Sequence, residues 1–216
     1  MDLEQARDQM ISQQLRTWDV FDERVLAVMK EIPRERFLAD AYRGLAFADA
    51  SIPIGHGEVM LPPKIQGRIL QAVAPGPQDS VLEIGTGTGF LTACLAQLGR
   101  DVHSLEIHED LAAAAALRLE SMAGIEPELA CADGLAAPLD RKYDVIVVSG
   151  ALPVYDDRFE QALAPGGRLF VVVGSPPVRE AWLVTADAES GQRRDVLFET
   201  DIPELCHARQ PERFAF

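Results

Sequence analysis

The sequence predicts an α/β protein, a doubly wound, mostly parallel sheet preceded by an N-terminal helical cap and closed by an antiparallel C-terminal hairpin. Three observations carry this expectation. From Ser80 onward, short β-rich runs alternate with helical ones, and neighbouring parallel strands need a helical crossover between them. Val145–Val148 is apolar without alternation, as a central strand buried on both faces requires. Val81–Ile84 passes directly into Gly85-Thr86-Gly87-Thr88-Gly89 and then into a helical pattern, so strand, glycine turn and helix start follow in succession.

Each element has its own signal. From Met1 to Leu38 the apolar residues fall at helical spacing (Leu3, Ala6, Met10, then Val25, Leu26, Met29), with Asp19 and Asp22 available as caps and Pro33 closing the second helix. Between Asp40 and Lys64, Gly44, Pro53, Gly55, Gly57, Pro62 and Pro63 interrupt any long element, which predicts an ordered loop or short-strand insert. After Pro75-Gly76-Pro77 the strands are expected at Ser80–Ile84, Val102–Ile107, Glu128–Cys131, Tyr143–Ser149 and Arg168–Val173. Thr88–Leu98, Asp110–Met122 and Asp157–Leu163 supply the helices between them, the Ala-rich run Leu111–Leu117 being the best helix former. Trp182–Ala186 and Asp195–Glu199, flanking the polar turn Glu189-Ser190-Gly191-Gln192, form the closing hairpin.

Composition narrows the function. The 216 residues suffice for one domain with a substantial core. Hydrophobic residues make up 48% and charged residues 25%, which excludes a wholly disordered or collagen-like chain. Twenty Lys+Arg against thirty-four Asp+Glu leave a net charge of −14, so neither nucleic acid nor an anionic membrane surface is expected as a partner. Charges among the first twenty residues break any signal-peptide core, and no apolar run is long enough to cross a bilayer, so a cytoplasmic location is expected. Cys94, Cys131 and Cys206 have no C-x-x-C spacing and are expected to be free thiols, with no metal site predicted.

The glycine loop is the most informative stretch. It places backbone N–H groups and the positive end of a helix at the carboxyl edge of a buried strand, where a ligand can approach closely because no Cβ stands in the way. A dinucleotide fingerprint would read G-x-G-x-x-G, but Phe90 occupies the last position, which weakens a nicotinamide oxidoreductase reading. Glu106 ends the next strand, where a carboxylate can accept both hydroxyls of a ribose. Asp133, in Ala132-Asp133-Gly134 after the third strand, can accept from an exocyclic amine such as that of adenine. Three strand ends thus converge on one nucleoside.

These motifs, together with the strand Tyr143–Ser149 and Leu163-Ala164-Pro165-Gly166-Gly167-Arg168-Leu169, resemble those of S-adenosylmethionine-dependent methyltransferases with a Rossmann-like fold. Glu31-Ile32-Pro33-Arg34-Glu35-Arg36-Phe37, followed by Ile52-Pro53-Ile54-Gly55-His56-Gly57, is similar more narrowly to the protein-L-isoaspartate O-methyltransferase family. The resemblance implies methylation of isoaspartyl carboxylates in damaged proteins, S-adenosyl-L-methionine as cofactor, and a monomer acting on a protein, a peptide or a small-molecule acceptor. It implies that Gly85, Thr86, Gly87 and Gly89 cradle the methionine part, with Glu83 of the same motif counted to the cofactor site. Glu106 would hold the ribose, and Asp133 with Gly134 the adenine side. Residues 1–216 then form one domain, 1–75 being helical cap and substrate loop and 76–216 cofactor-binding core and C-terminal strands.

The sequence departs from that family at one place. The family's G-x-G continues as Gln-Thr-Ile-Ser-Gln-Pro, its serine lying at the methyl-transfer site, whereas here the stretch is Glu58-Val59-Met60-Leu61-Pro62-Pro63. Val59 and Leu61 replace two hydroxyls at catalytic positions, which leaves open a paralogue with another acceptor or a cofactor-binding protein without transfer. His56 is a further catalytic candidate as contact or base for a hydroxyl acceptor, with loop stabilisation as its plainer role. Cys206-His207 is not expected to form a thiolate pair, because adjacent residues on an extended chain point to opposite faces.

Overall fold

Helix α1 (Leu3–Gln9) runs into a π-helical turn at Met10–Leu15 and a 3-10 turn at Arg16–Trp18, ending at Asp19 in the left-handed region. Asp22 then caps α2 (Glu23–Glu31) by accepting the Arg24 N–H at 2.9 Å, as its position predicts. The computed structural model describes residues 3–187 and 191–212. A 3-10 turn at Arg34–Phe37 ends the cap, and in the proline- and glycine-rich insert a second at Asp40–Leu45 precedes a hairpin of β1 (Ile52–Gly55) and β2 (Glu58–Met60), whose turn uses positive φ at His56 and Gly57.

Helix α3 (Pro63–Val73) is the element the sequence reading leaves out. Its Pro62-Pro63 start looks like a breaker, yet proline in a first helical turn lacks only an N–H that has no partner there. Ile65, Ile69, Leu70 and Val73 bury one face. Gly67 lets the helix approach the cap, since a Cβ there would lie 2.8 Å from Leu15.

The main sheet comprises β3 (Ser80–Ile84), β4 (Asp101–Glu106), β5 (Glu128–Cys131), β6 (Tyr143–Leu152), β7 (Leu163–Val173), β8 (Glu180–Asp187) and β9 (Gly191–Glu199), in the order β5-β4-β3-β6-β7-β8-β9. The pairs up to β7 are parallel; β7–β8 and β8–β9 are antiparallel. Crossovers run through α4 (Phe90–Leu98), α5 (Glu109–Glu120) and the single-turn α6 (Arg158–Gln161). The expected Glu189-Ser190 turn lies outside the described residues. Strand β6 is buried on both faces as predicted: Val145 and Val147 join one apolar cluster, Ile146 and Val148 the other. The strand order reverses between the parallel neighbours β3 and β6, the point where a crevice opens at the strands' carboxyl ends.

After β9 the chain returns to that crevice. Ala151 donates to Pro203 O at 2.8 Å and its carbonyl accepts from Leu205 N at 3.0 Å. Buried Arg179 pins this closing segment through Asp201, the Ile202 carbonyl and Glu204 at 2.5–2.6 Å.

Candidate active site

A cavity open to solvent occupies the switch point. Its walls bring together most residues expected from the sequence: Gly85, Thr86 and Gly87 of the glycine loop, Glu106 at the end of β4, Asp133 and Gly134 after β5, and Val59 and Leu61 from the hairpin arm.

The glycines are required by backbone geometry. Gly85, Gly87 and Gly89 have φ of 93°, 53° and 87°, where other residues are strained. A Cβ on Gly85 would lie 2.5 Å from Ser149 Oγ, and one on Gly134 2.5 Å from Ile84 Cγ2. Gly89 does not line the cavity; its Cβ would press on Ala115 and Leu119, so it sets how α4 packs against α5.

Glu106 is nearly buried and already engaged. Oε2 accepts the Gly87 N–H at 2.7 Å and Oε1 the His108 N–H at 3.0 Å. Each carboxylate oxygen keeps a further lone pair for a donor in the cavity. Asp133 accepts from Leu135 N and from His207 Nδ1, both at 2.8 Å. Partial burial would raise its pKa, but the His207 and backbone hydrogen bonds outweigh this and hold it below the ordinary value.

Glu83 stands behind the wall. It is fully buried, Oε2 accepting from Thr92 Oγ1 at 2.5 Å and Ser104 Oγ at 2.6 Å while Oε1 has no partner. Because the Ser104 proton goes to Glu83, Thr86 Oγ1, 2.6 Å from Ser104 Oγ, is the donor of that pair. A hydroxyl chain therefore ties the glycine loop to Glu83. Burial pushes Glu83 up to about 7.

His56 is also outside the cavity. It sits at the exposed hairpin turn, Nε2 lying 2.9 Å from Asp110 Oδ1, and stacks on His108 with ring centroids 4.0 Å apart. Cys206 and His207 do diverge, Cys206 toward Glu58 and His108 and His207 toward Asp133, although His207 adopts a left-handed φ of 64° and not an extended backbone.

Arg34 organises the hairpin arm from below. Its fully buried guanidinium lies 4.8 Å from the Phe90 ring centroid and donates to Ala46 O and Leu61 O at 2.7 Å, and to Gln66 Oε1. Desolvation lowers its pKa to about 9. Gln66 itself lines the cavity, and with its oxygen on Arg34 the amide nitrogen is its donating end. Gln66, Ser149 and Cys206 are cavity residues the sequence reading missed. Ser149 closes a predicted strand, but no local pattern marks Gln66, whose helix goes unread.

Comparison with known proteins agrees with this fold. Residues 5–196 match the family model for protein-L-isoaspartate(D-aspartate) O-methyltransferase. A Koribacter versatilis protein-L-isoaspartate O-methyltransferase is 39% identical over 188 residues, covering 87% of this chain and 85% of the relative. One from Aeropyrum pernix is 35% identical over 200 residues, covering 89% and 76%. Among solved structures, a Plasmodium falciparum chain described as a protein-L-isoaspartate O-methyltransferase, in complex with S-adenosyl-L-homocysteine, superposes with a TM-score of 0.76 at 17% identity, over 92% of this chain and 97% of that one.

Proposed function

Because the chain belongs to the protein-L-isoaspartate(D-aspartate) O-methyltransferase family, we propose that its cavity serves methyl transfer from S-adenosylmethionine to a carboxylate of isoaspartyl residues in damaged proteins. The observation that carries the reading is the convergence of the glycine loop, Glu106 and the β1–β2 arm on one cavity.

The residues present fit the cofactor. The loop offers close backbone approach, Glu106 and Asp133 offer acceptors, and Glu58, Glu106 and Asp133 give the walls an acidic character suited to a cationic ligand. When bound, S-adenosylmethionine supplies a methyl group activated by a positively charged sulfur. Glu106 would hold the ribose hydroxyls, Asp133 and Gly134 the adenine side, and Gly85–Gly87 the methionine part. Glu83 and Gly89 would act one layer behind, fixing the loop.

A carboxylate acceptor is ionised at neutral pH, so no general base is required and the chain's task is alignment. Val59 and Leu61 shape an apolar wall where hydroxyls would otherwise stand, and the Gln66 amide supplies a donor for the acceptor carboxylate. Residues 1–75 serve as cap and substrate arm and 76–216 as cofactor core within one domain. Protein repair by a cytoplasmic monomer is the setting that fits this reading; no helix among the described residues is long and apolar enough to cross a membrane.

Transfer of labelled methyl to an isoaspartyl peptide, run beside the matching aspartyl peptide, tests it. Turnover on the isoaspartyl peptide alone is expected. S-adenosylhomocysteine binding without transfer to either peptide would point instead to another acceptor or to a cofactor-binding protein.

A further inference from the structure

Three side chains from distant parts of the chain meet at the cavity rim: Glu58 at the start of β2, His108 in the turn before α5, and Cys206 in the closing segment. Cys206 Sγ lies 3.6 Å from Glu58 Oε1 and 3.7 Å from His108 Nε2, and these two atoms are 4.0 Å apart. A tetrahedral Zn²⁺, with bonds of about 2.3 Å to sulfur and about 2.0–2.1 Å to nitrogen and oxygen, separates its ligand atoms by roughly 3.3–3.6 Å. Adjustments of a few tenths of an ångström therefore bring the three onto one ion.

The surroundings support the same conclusion. The His108 ring is stacked on His56 at an interplanar angle of 9° and His56 is held by Asp110, so the plane of the imidazole is fixed before any ion arrives, while the His108 backbone N–H, held by Glu106, anchors the turn that carries it. Among the described residues this is the one cluster of three or more His, Cys, Asp or Glu side chains close enough to share an ion. One thiolate and one carboxylate balance a divalent charge, and sulfur with imidazole selects a borderline-soft ion over Mg²⁺ or Ca²⁺.

We propose that Glu58, His108 and Cys206 bind one thiophilic divalent cation, Zn²⁺ being the ion that fits, with water as fourth ligand. On binding, the Cys206 S–H bond breaks, a sulfur–metal bond forms and the proton leaves to solvent; no oxidation state changes. The ion clasps the β1–β2 hairpin to the closing segment across the rim of the cavity.

The test uses the purified chain, stripped with chelator and titrated with Zn²⁺, and with Co²⁺ as a spectroscopic probe. One equivalent of Zn²⁺ retained through dialysis and a thiolate-to-cobalt charge-transfer band are expected. The band should disappear in Cys206→Ser, weaken at least tenfold in apparent affinity in Glu58→Gln and His108→Gln, and persist in Cys131→Ser, which removes an exposed thiol outside the cluster. Zn²⁺ should also shield Cys206, but not Cys131, from alkylation of the wild-type chain, a readout independent of whether the variants fold and of methyl transfer. Absence of the band, its survival in Cys206→Ser, or Cys206 alkylation unaffected by Zn²⁺ would overturn the proposal.

Discussion

Glu106 Oε2 accepts the backbone N–H of Gly87 at 2.7 Å, so the carboxylate proposed to hold the ribose also holds the loop proposed to hold the methionine part. Binding and loop order are coupled through one side chain. Charge-assisted hydrogen bonds of this kind contribute about 1.5–3 kcal/mol each. Glu106→Ala should weaken S-adenosylhomocysteine affinity at least tenfold and also lower the melting temperature of the unliganded protein. Calorimetry and thermal denaturation of the same preparation check both; a variant that loses affinity without any change in melting would sever the coupling.

Leu61 and Val59 face the cavity where two hydroxyls are missing. A donor acting on transition-state charge is typically worth about 2.7–4 kcal/mol, and less where another donor already contributes. With Gln66 present, Val59→Thr with Leu61→Ser should raise kcat/KM on an isoaspartyl peptide by about tenfold while leaving S-adenosylhomocysteine affinity unchanged. Steady-state kinetics at saturating cofactor measure this.

Gln66→Glu keeps an acceptor for Arg34 but replaces a donor on the cavity wall with an anion. Like charges repel, so kcat/KM for the carboxylate acceptor should fall by at least tenfold while the melting temperature holds or rises. An unaltered kcat/KM would remove Gln66 from acceptor binding.

Glu83 links stability to pH. Its folded pKa is raised from 4.5 to about 7, so the folded chain retains a proton that the unfolded chain has released. The stabilisation is full below the unfolded value and is lost as pH rises through the folded one, a change on the order of 3 kcal/mol. Melting temperature should therefore decline between pH 4.5 and pH 7. Glu83→Gln should flatten the part of that slope due to this group; an identical slope in variant and wild type would contradict the assignment.

Legibility in the sequence followed the range of the interactions. The strand, glycine loop, Glu106 and Asp133 were readable because each is specified within a few residues and parallel-sheet rules then assemble them. The hairpin arm was visible as punctuation, and Val59 and Leu61 do reach the cavity. Helix α3 was hidden by Pro62-Pro63, and with it Gln66. Helix α6 ends early because Leu163, expected to close it, already pairs with Tyr143 in the sheet. Glu83 carries a motif signal, yet strand alternation turns it away from the cavity, a distinction that depends on the pleat. The meeting of Glu58, His108 and Cys206 has no local signature, since tertiary structure alone joins segments so far apart in the chain.

The closing segment adds an order of events. Pro203, Leu205 and Cys206 form part of the cavity wall, and Arg179 and Ala151 hold them there. During synthesis the glycine loop and Glu106 leave the ribosome long before this stretch does. A nascent chain that has its first parallel strands but not yet this stretch therefore carries a cavity that still lacks one side.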